Sequence, residues 1–146
     1  MDERIKRDSE DALRYYDGLI EKMPDAIFKS LKPDYIEFDR EGGRLLYKIP
    51  TKPWMRNSGN VAHGGVIAAI IDNVMGSLSN LLAGQRTPTI NININLMRAV
   101  RLDEPLCVEA VCEKRGNKLT FIRCRGYNDS APAKTLFTAE SSFLNP

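Results

Sequence analysis

Histidine is the scarcest chemically versatile residue in this chain, because the 146 residues include only one, His63. Typical zinc sites bring several nitrogen or sulfur ligands together, so the sequence predicts no metal site. The cysteines are odd in number and form no Cys-x-x-Cys pair; they are Cys107, Cys112 and Cys124. We therefore expect reduced, packed thiols, as in a cytoplasmic protein.

A large charge imbalance is also missing, since 21 basic residues nearly balance 19 acidic ones and leave a net charge of +2. The first eight residues are too charged for a signal peptide. No apolar run reaches the ~18 residues of a membrane span, because Asp72 and Asn73 interrupt the best candidate. We therefore expect neither nucleic acid nor a membrane as partner, and one globular domain with a real core.

Hydrophobic spacing and turn residues divide the chain into helices and strands. Apolar residues recur at helical spacing over the first 23 residues until Pro24 ends the run, and residues 26–31 predict a further helical turn. Alternation bounded by turn signals predicts strands at 35–38, 44–49, 89–97, 104–114, 119–127 and about 134–144. This order favours the α+β class, with an antiparallel sheet wrapped around one apolar helix.

The segment 89–97 alternates almost without fault between asparagine and large aliphatic residues. Because successive side chains of a strand point to opposite faces, we expect Thr89 to lie on the asparagine face. The opposite face should then carry Ile90, Ile92, Ile94 and Leu96.

The most informative stretch is residues 57–72, Asn-Ser-Gly-Asn-Val-Ala-His-Gly-Gly-Val-Ile-Ala-Ala-Ile-Ile-Asp. It opens the strongest predicted helix, which runs from Gly65 to Leu82 and stops before Gly84. Gly64 and Gly65 stand at its start, where backbone N–H groups lack intrahelical partners and can face a partial negative charge. A helix that is apolar on every side should be buried, so its lone carboxylate needs a partner or a raised pKa.

The pattern Asn-x5-His-Gly-Gly-x6-Asp over residues 57–72, within this order of elements, resembles the hotdog-fold acyl-CoA thioesterases of the phenylacetate-degradation type. These belong to the 4-hydroxybenzoyl-CoA thioesterase superfamily. The resemblance covers roughly residues 35–145 and implies a hotdog fold and hydrolysis of an acyl-CoA without a cofactor. The leading helix lies outside it. We therefore divide the chain into an N-terminal helical extension, 1–33, and a hotdog domain, 34–146.

The resemblance also implies a role for each of five residues. Asp72 would be a general base that activates water, or a nucleophile that attacks the thioester directly. The backbone N–H of Gly64 would hold the thioester oxygen at the helix start. His63 and Asn57 would orient the thioester and its leaving sulfur. The hydroxyl of Thr89 would hold the attacking water beside the carboxylate.

Each of these residues also has a plain structural interpretation, which the sequence leaves open. Asp72 could be a solvated helix carboxylate, and His63 could be a core histidine bonded to the backbone. Asn57 could be a turn residue, and the two glycines could merely allow a tight entry to the helix. Thr89 could be present because strands favour β-branched residues, and Thr87 lies close enough to take its proposed role.

The spacing of the motif favours a site shared between two copies of the chain. Gly64 and Asp72 are eight residues apart, which separates them by ~12 Å along a helix. A base must lie within ~3 Å of the water that it activates, so one chain cannot easily supply both groups to one site. We expect a homodimer, or a tetramer built from dimers, as in the resembling family.

Two other functions compete with hydrolysis. A hotdog dehydratase or hydratase also pairs a histidine with a carboxylate, although its spacing and flanking residues differ from those found here. A catalytically silent acyl-CoA-binding module would share the fold without the reaction. The preferred acyl group depends on a pocket that we expect the leading helix, the loop 50–60 and the partner subunit to shape, and the sequence leaves it open. It also leaves open which basic residues between 98 and 125 meet the phosphates of coenzyme A.

Overall fold

The computed structural model describes all 146 residues, Met1–Pro146. The helices are α1 (Glu3–Lys22), α2 (Ile27–Ser30) and α3 (Gly64–Ala83). The strands are β1 (Tyr35–Asp39), β2 (Arg44–Ile49), β3 (Thr89–Leu96), β4 (Leu106–Arg115), β5 (Leu119–Asn128) and β6 (Phe137–Leu144). Each predicted segment is present, with its ends shifted by a few residues at most.

The six strands form one antiparallel sheet in the order β1-β2-β4-β5-β6-β3. The long helix α3 contacts β2, β4, β5, β6 and β3, while α1 packs along the edge strand β1. The expected architecture, an antiparallel sheet around one long helix with an extra N-terminal helix, is therefore confirmed. Strand β3 forms the other edge of the sheet and has no partner strand on its outer side.

Helix α3 supplies much of the core but is not enclosed on every side. Its apolar side chains from Ile67 to Leu81 join the main hydrophobic cluster. The opposite side is small or polar and only half-buried; it carries Ala69, Asp72, Asn73, Gly76 and Asn80. The prediction of burial all round was therefore wrong, because such residues recur every three or four positions and leave one stripe open. By length and hydropathy α3 could cross a membrane, but core helices pass the same test, and this one is 50% buried.

Helix α1 shares the core of the sheet through Ala12 and Tyr16, which are both fully buried. The Tyr16 hydroxyl donates to the backbone oxygen of Phe28 at 2.8 Å and accepts from Asn73 Nδ2 at 3.0 Å. Burial raises the pKa of this phenol to about 12. One side chain thus joins α1 to α2 and to the open stripe of α3.

Strand β3 begins with a bulge that changes which way its first residue faces. Ile92 and Ile94 pack against the core, and Asn91 Oδ1 accepts from the backbone and hydroxyl of Ser142. The register shifts between Thr89 and Asn91, however, and Thr89 reaches α3. The prediction that Thr89 lies on the asparagine face was therefore wrong, since one extra residue in a strand reverses the alternation.

Candidate active site

The start of α3 is capped by the only histidine of the chain. His63 is the N-cap residue, and its ring Nδ1 accepts a hydrogen bond from the backbone N–H of Gly65 at 2.9 Å. Its own backbone N–H donates to the oxygen of Met55 at 2.7 Å. The side chain is exposed, which excludes the core-histidine alternative. Because Nδ1 accepts, the neutral ring carries its proton on Nε2, which remains free to donate.

Only one backbone donor remains free in the first turn of α3. The N–H of Gly65 is taken by the His63 ring, and those of Val66 and Ile67 donate to the His63 carbonyl oxygen. The Gly64 N–H has no hydrogen-bond partner. It lies at the positive end of a 20-residue helix, so it can bind an oxygen that carries negative charge.

The loop before the helix is shaped by the side chain of Asn57. Its Oδ1 accepts from the backbone N–H of Gly59 at 2.8 Å and of Val61 at 3.3 Å. Its own backbone N–H donates to the Val61 oxygen at 2.8 Å. Asn57 is therefore a turn residue in this structure, and only its amide nitrogen is left to meet a ligand.

Asp72 lies two turns further along α3, beside the first residue of β3. The Thr89 hydroxyl donates to Asp72 Oδ1 at 2.9 Å, a normal length for such a bond. Asp72 is half-buried rather than enclosed, so the expectation of a buried carboxylate was wrong, whereas the expected partner is present. Thr87 is buried and committed to Ser79 and Asn80, which leaves Thr89 as the hydroxyl beside the carboxylate.

A cleft of about 640 Å³ opens beside Asp72 and Thr89. One wall is the open stripe of α3, and the other comes from α1 and α2. Tyr15 of α1 spans the gap, because its hydroxyl accepts from Asn80 Nδ2 at 2.9 Å, and burial raises the pKa of this phenol. The expected contribution of the leading helix to the pocket is thus present, and the spacing Asp72–Gly76–Asn80 marks the opposite wall at helical intervals.

The five predicted site residues form two groups within one chain. Asn57, His63 and Gly64 stand at the start of α3, whereas Asp72 and Thr89 stand together further along it. Eight residues of helix separate Gly64 from Asp72, or ~12 Å. The chain thus presents an oxygen-binding donor at one place and a carboxylate with a hydroxyl partner at another.

Comparison with known proteins identifies the class of this chain. The sequence pattern of the thioesterase superfamily matches residues 59–132, which make up half of the chain. The matched part holds the capped helix start, all of α3 and the Thr89 position. The chain belongs to the thioesterase superfamily, and it is a thioester hydrolase.

Solved structures that are similar to this chain agree with its fold. The Escherichia coli PaaI protein from the phenylacetic acid degradation operon is 19% identical, with a TM-score of 0.78 over 94% of this chain and 95% of that one. A phenylacetic acid degradation-related protein from Ralstonia eutropha is 23% identical, with a TM-score of 0.73 over 82% and 89%. A hypothetical thioesterase protein from Streptococcus pneumoniae, solved with coenzyme A, is 21% identical, with a TM-score of 0.67 over 75% and 85%. At these identities the likeness establishes the hotdog fold.

Proposed function

We propose that the protein hydrolyses acyl-CoA thioesters to a free acid and coenzyme A, in an active site shared between two copies of the chain. One observation carries the proposal: α3 offers a single unpartnered N–H at Gly64 and, two turns on, a carboxylate bonded to Thr89. The Streptococcus pneumoniae thioesterase, which was solved with coenzyme A, supports coenzyme A as the thiol part of the substrate.

The start of α3 would stabilise charge on the substrate oxygen. When a nucleophile adds to the thioester carbon, negative charge develops on the former carbonyl oxygen. The Gly64 N–H would donate to that oxygen with the helix dipole behind it, and this donor is already in position before reaction. The exposed Nε2–H of His63 would lie beside it as a second donor towards the thioester.

Asp72 would supply the attacking oxygen, either from water or from itself. As a base, it takes a proton from water while the water oxygen attacks the thioester carbon; the C–S bond then breaks and the sulfur leaves with the proton. As a nucleophile, its carboxylate displaces the thiolate and forms a mixed anhydride that water hydrolyses. In either route Thr89 fixes one carboxylate oxygen and leaves the other free to react.

The second copy would bring the two groups together. Edge strand β3 exposes large apolar side chains: Ile90 is 54% exposed, and Leu96 is 53% exposed. An open edge of this kind favours pairing with another strand. We propose that two β3 strands pair across a two-fold axis, so that Asp72 of one copy faces Gly64 of the other. This arrangement would remove the ~12 Å separation that one helix imposes.

The test is a thiol-release assay with acyl-CoA substrates on wild-type protein and on Asp72→Asn. The substitution keeps the shape of the side chain but removes its basicity and nucleophilicity, so we expect turnover to fall by ~10²-fold or more. Glu10→Gln, at an exposed carboxylate without a partner, is the matched control and should keep wild-type turnover. A folded Asp72→Asn protein with near-normal turnover would contradict the proposal. Binding of acyl-CoA without turnover by the wild type would favour a silent binding module.

A further inference from the structure

The cleft beside Asp72 has the size and position of a substrate pocket. Its volume of about 640 Å³ lies within the range of roughly 300–1,000 Å³ that is usual for small-molecule sites. It begins at Asp72 and Thr89, follows the open stripe of α3, and passes between that stripe and the N-terminal helices. A group attached to a thioester carbon at Asp72 would therefore find this cleft immediately beside it.

The wall formed by the N-terminal helices carries exposed apolar side chains beside Asp11 and Tyr15. Leu19 of α1, Met23 immediately after α1, and Ile27 of α2 all line the cleft. Met23 is 40% exposed and Ile27 is 50% exposed, and exposure of such apolar side chains to water is unfavourable. An apolar ligand in the cleft would cover both side chains.

The opposite wall contains a glycine that the fold itself does not require. Gly76 lies one turn after Asp72 in the interior of α3, where glycine is less favourable than every residue except proline. Its φ is not in the left-handed region. A Cβ at this position would meet only Phe143 Cε1 at 3.9 Å, which is an ordinary contact. Neither the backbone conformation nor the packing thus explains why this position is glycine. The cleft does offer a reason, because a larger side chain here would narrow it.

We propose that this cleft holds the acyl group of the thioester. Gly76 would contact the acyl group from the α3 wall, and Leu19 and Met23 would contact it from the opposite wall. The N-terminal helix α1 then sets the size of the acyl group that the enzyme accepts. The favoured substrates carry an apolar acyl chain long enough to pass Gly76, rather than an acetyl group. This inference rests on the proposed hydrolysis at Asp72.

The test measures kcat/KM over a series from acetyl-CoA through hexanoyl-CoA to dodecanoyl-CoA. Gly76→Ala narrows the cleft by one methyl group on the α3 wall, and Leu19→Trp narrows it from the opposite wall. Each should reduce the ratio of dodecanoyl-CoA to acetyl-CoA activity by about 10-fold, the usual scale for one methylene group in a fitted pocket. Gly76→Ala should also raise Tm by about 4 °C, because alanine favours the helix, so loss of folding cannot explain its effect.

Two substitutions of the same kind on α1, away from the cleft, serve as controls. Gly18→Ala adds a methyl group with no atom within 4 Å, and Leu13→Trp enlarges a side chain that is already 42% exposed. Both should keep the wild-type chain-length profile. A wild type that hydrolyses the series, with Gly76→Ala and Leu19→Trp keeping its profile, would overturn the cleft assignment alone. A wild type that hydrolyses aryl-CoA esters but none of this series would also overturn the cleft assignment alone. A wild type that hydrolyses no acyl-CoA ester would overturn the proposed function, and this inference with it.

Discussion

At the scale of single residues, the proposed function gives His63 two separable tasks. Its Nδ1 caps α3 by accepting from Gly65, and its exposed Nε2–H is free to meet the thioester. Capping is a stability effect, whereas donation to substrate is a rate effect. A substitution that keeps the N-cap but removes the Nε2–H donor can therefore separate the effect on stability from the effect on rate.

We predict that His63→Asn keeps the stability of the protein but not its activity. Asparagine is among the best N-cap residues, so Tm should stay near that of wild type. The short side chain cannot extend a donor to the position of Nε2, and kcat should fall by about 10-fold or more. His63→Ala should lower kcat in the same way and should also lower the free energy of unfolding by about 1 kcal/mol, because the N-cap is lost. Thermal unfolding gives Tm and thiol release gives kcat for wild type, His63→Asn and His63→Ala. A wild-type kcat in His63→Asn would mean that His63 only caps the helix.

At the scale of elements, the hydroxyl of a buried tyrosine joins α1 to two other elements. Tyr16 bridges Phe28 and Asn73, so it connects the wall of the cleft formed by α1 and α2 to the opposite wall formed by α3. The ring also packs edge-on against Phe28 and Tyr47. Replacement of the hydroxyl alone would leave this packing in place.

Tyr16→Phe should lower the free energy of unfolding by about 1–3 kcal/mol, because a carbonyl and an amide lose their partner inside the fold. Tyr35→Phe is the matched control. Its hydroxyl bonds Glu37 at an exposed position, and the change should stay within ~0.5 kcal/mol. Urea unfolding of both variants compares them directly. Equal effects would mean that the Tyr16 hydroxyl does not hold α1.

The elements themselves could be predicted from the sequence, because periodicity and turn residues are local. The bulge between Thr89 and Asn91 could not, since it exists only in the pairing of β3 with β6. The sequence pointed to both Thr87 and Thr89 as partners of Asp72. The bulge turns Thr89 towards α3, while Thr87 is bonded to Ser79 and Asn80. Asn57 was predicted either as a site residue or as a turn residue. The use of its Oδ1 within the loop depends on the folded backbone, which local sequence does not show.

At the scale of the whole molecule, the family and fold could be predicted from residues 57–72 and the order of elements. The cleft could not, because it needs α1 and α3 to be packed together, and the two helices are far apart in the chain. The spacing of Gly64 and Asp72 is different, since a helix converts sequence separation directly into distance. The expectation of a shared site therefore stands on sequence and structure alike and stays a prediction.

Mixing two inactive variants tests this central claim most directly. Asp72→Asn subunits lack the carboxylate, and Gly64→Val subunits block the oxygen-binding donor; each alone should be inactive. A mixed dimer would contain one site with both lesions and one with neither. Equal mixing with verified subunit exchange should therefore restore about a quarter of wild-type thioester hydrolysis, since half of the dimers are mixed and each has one intact site. Verified mixed dimers with no more activity than the two parents would contradict a site shared between subunits.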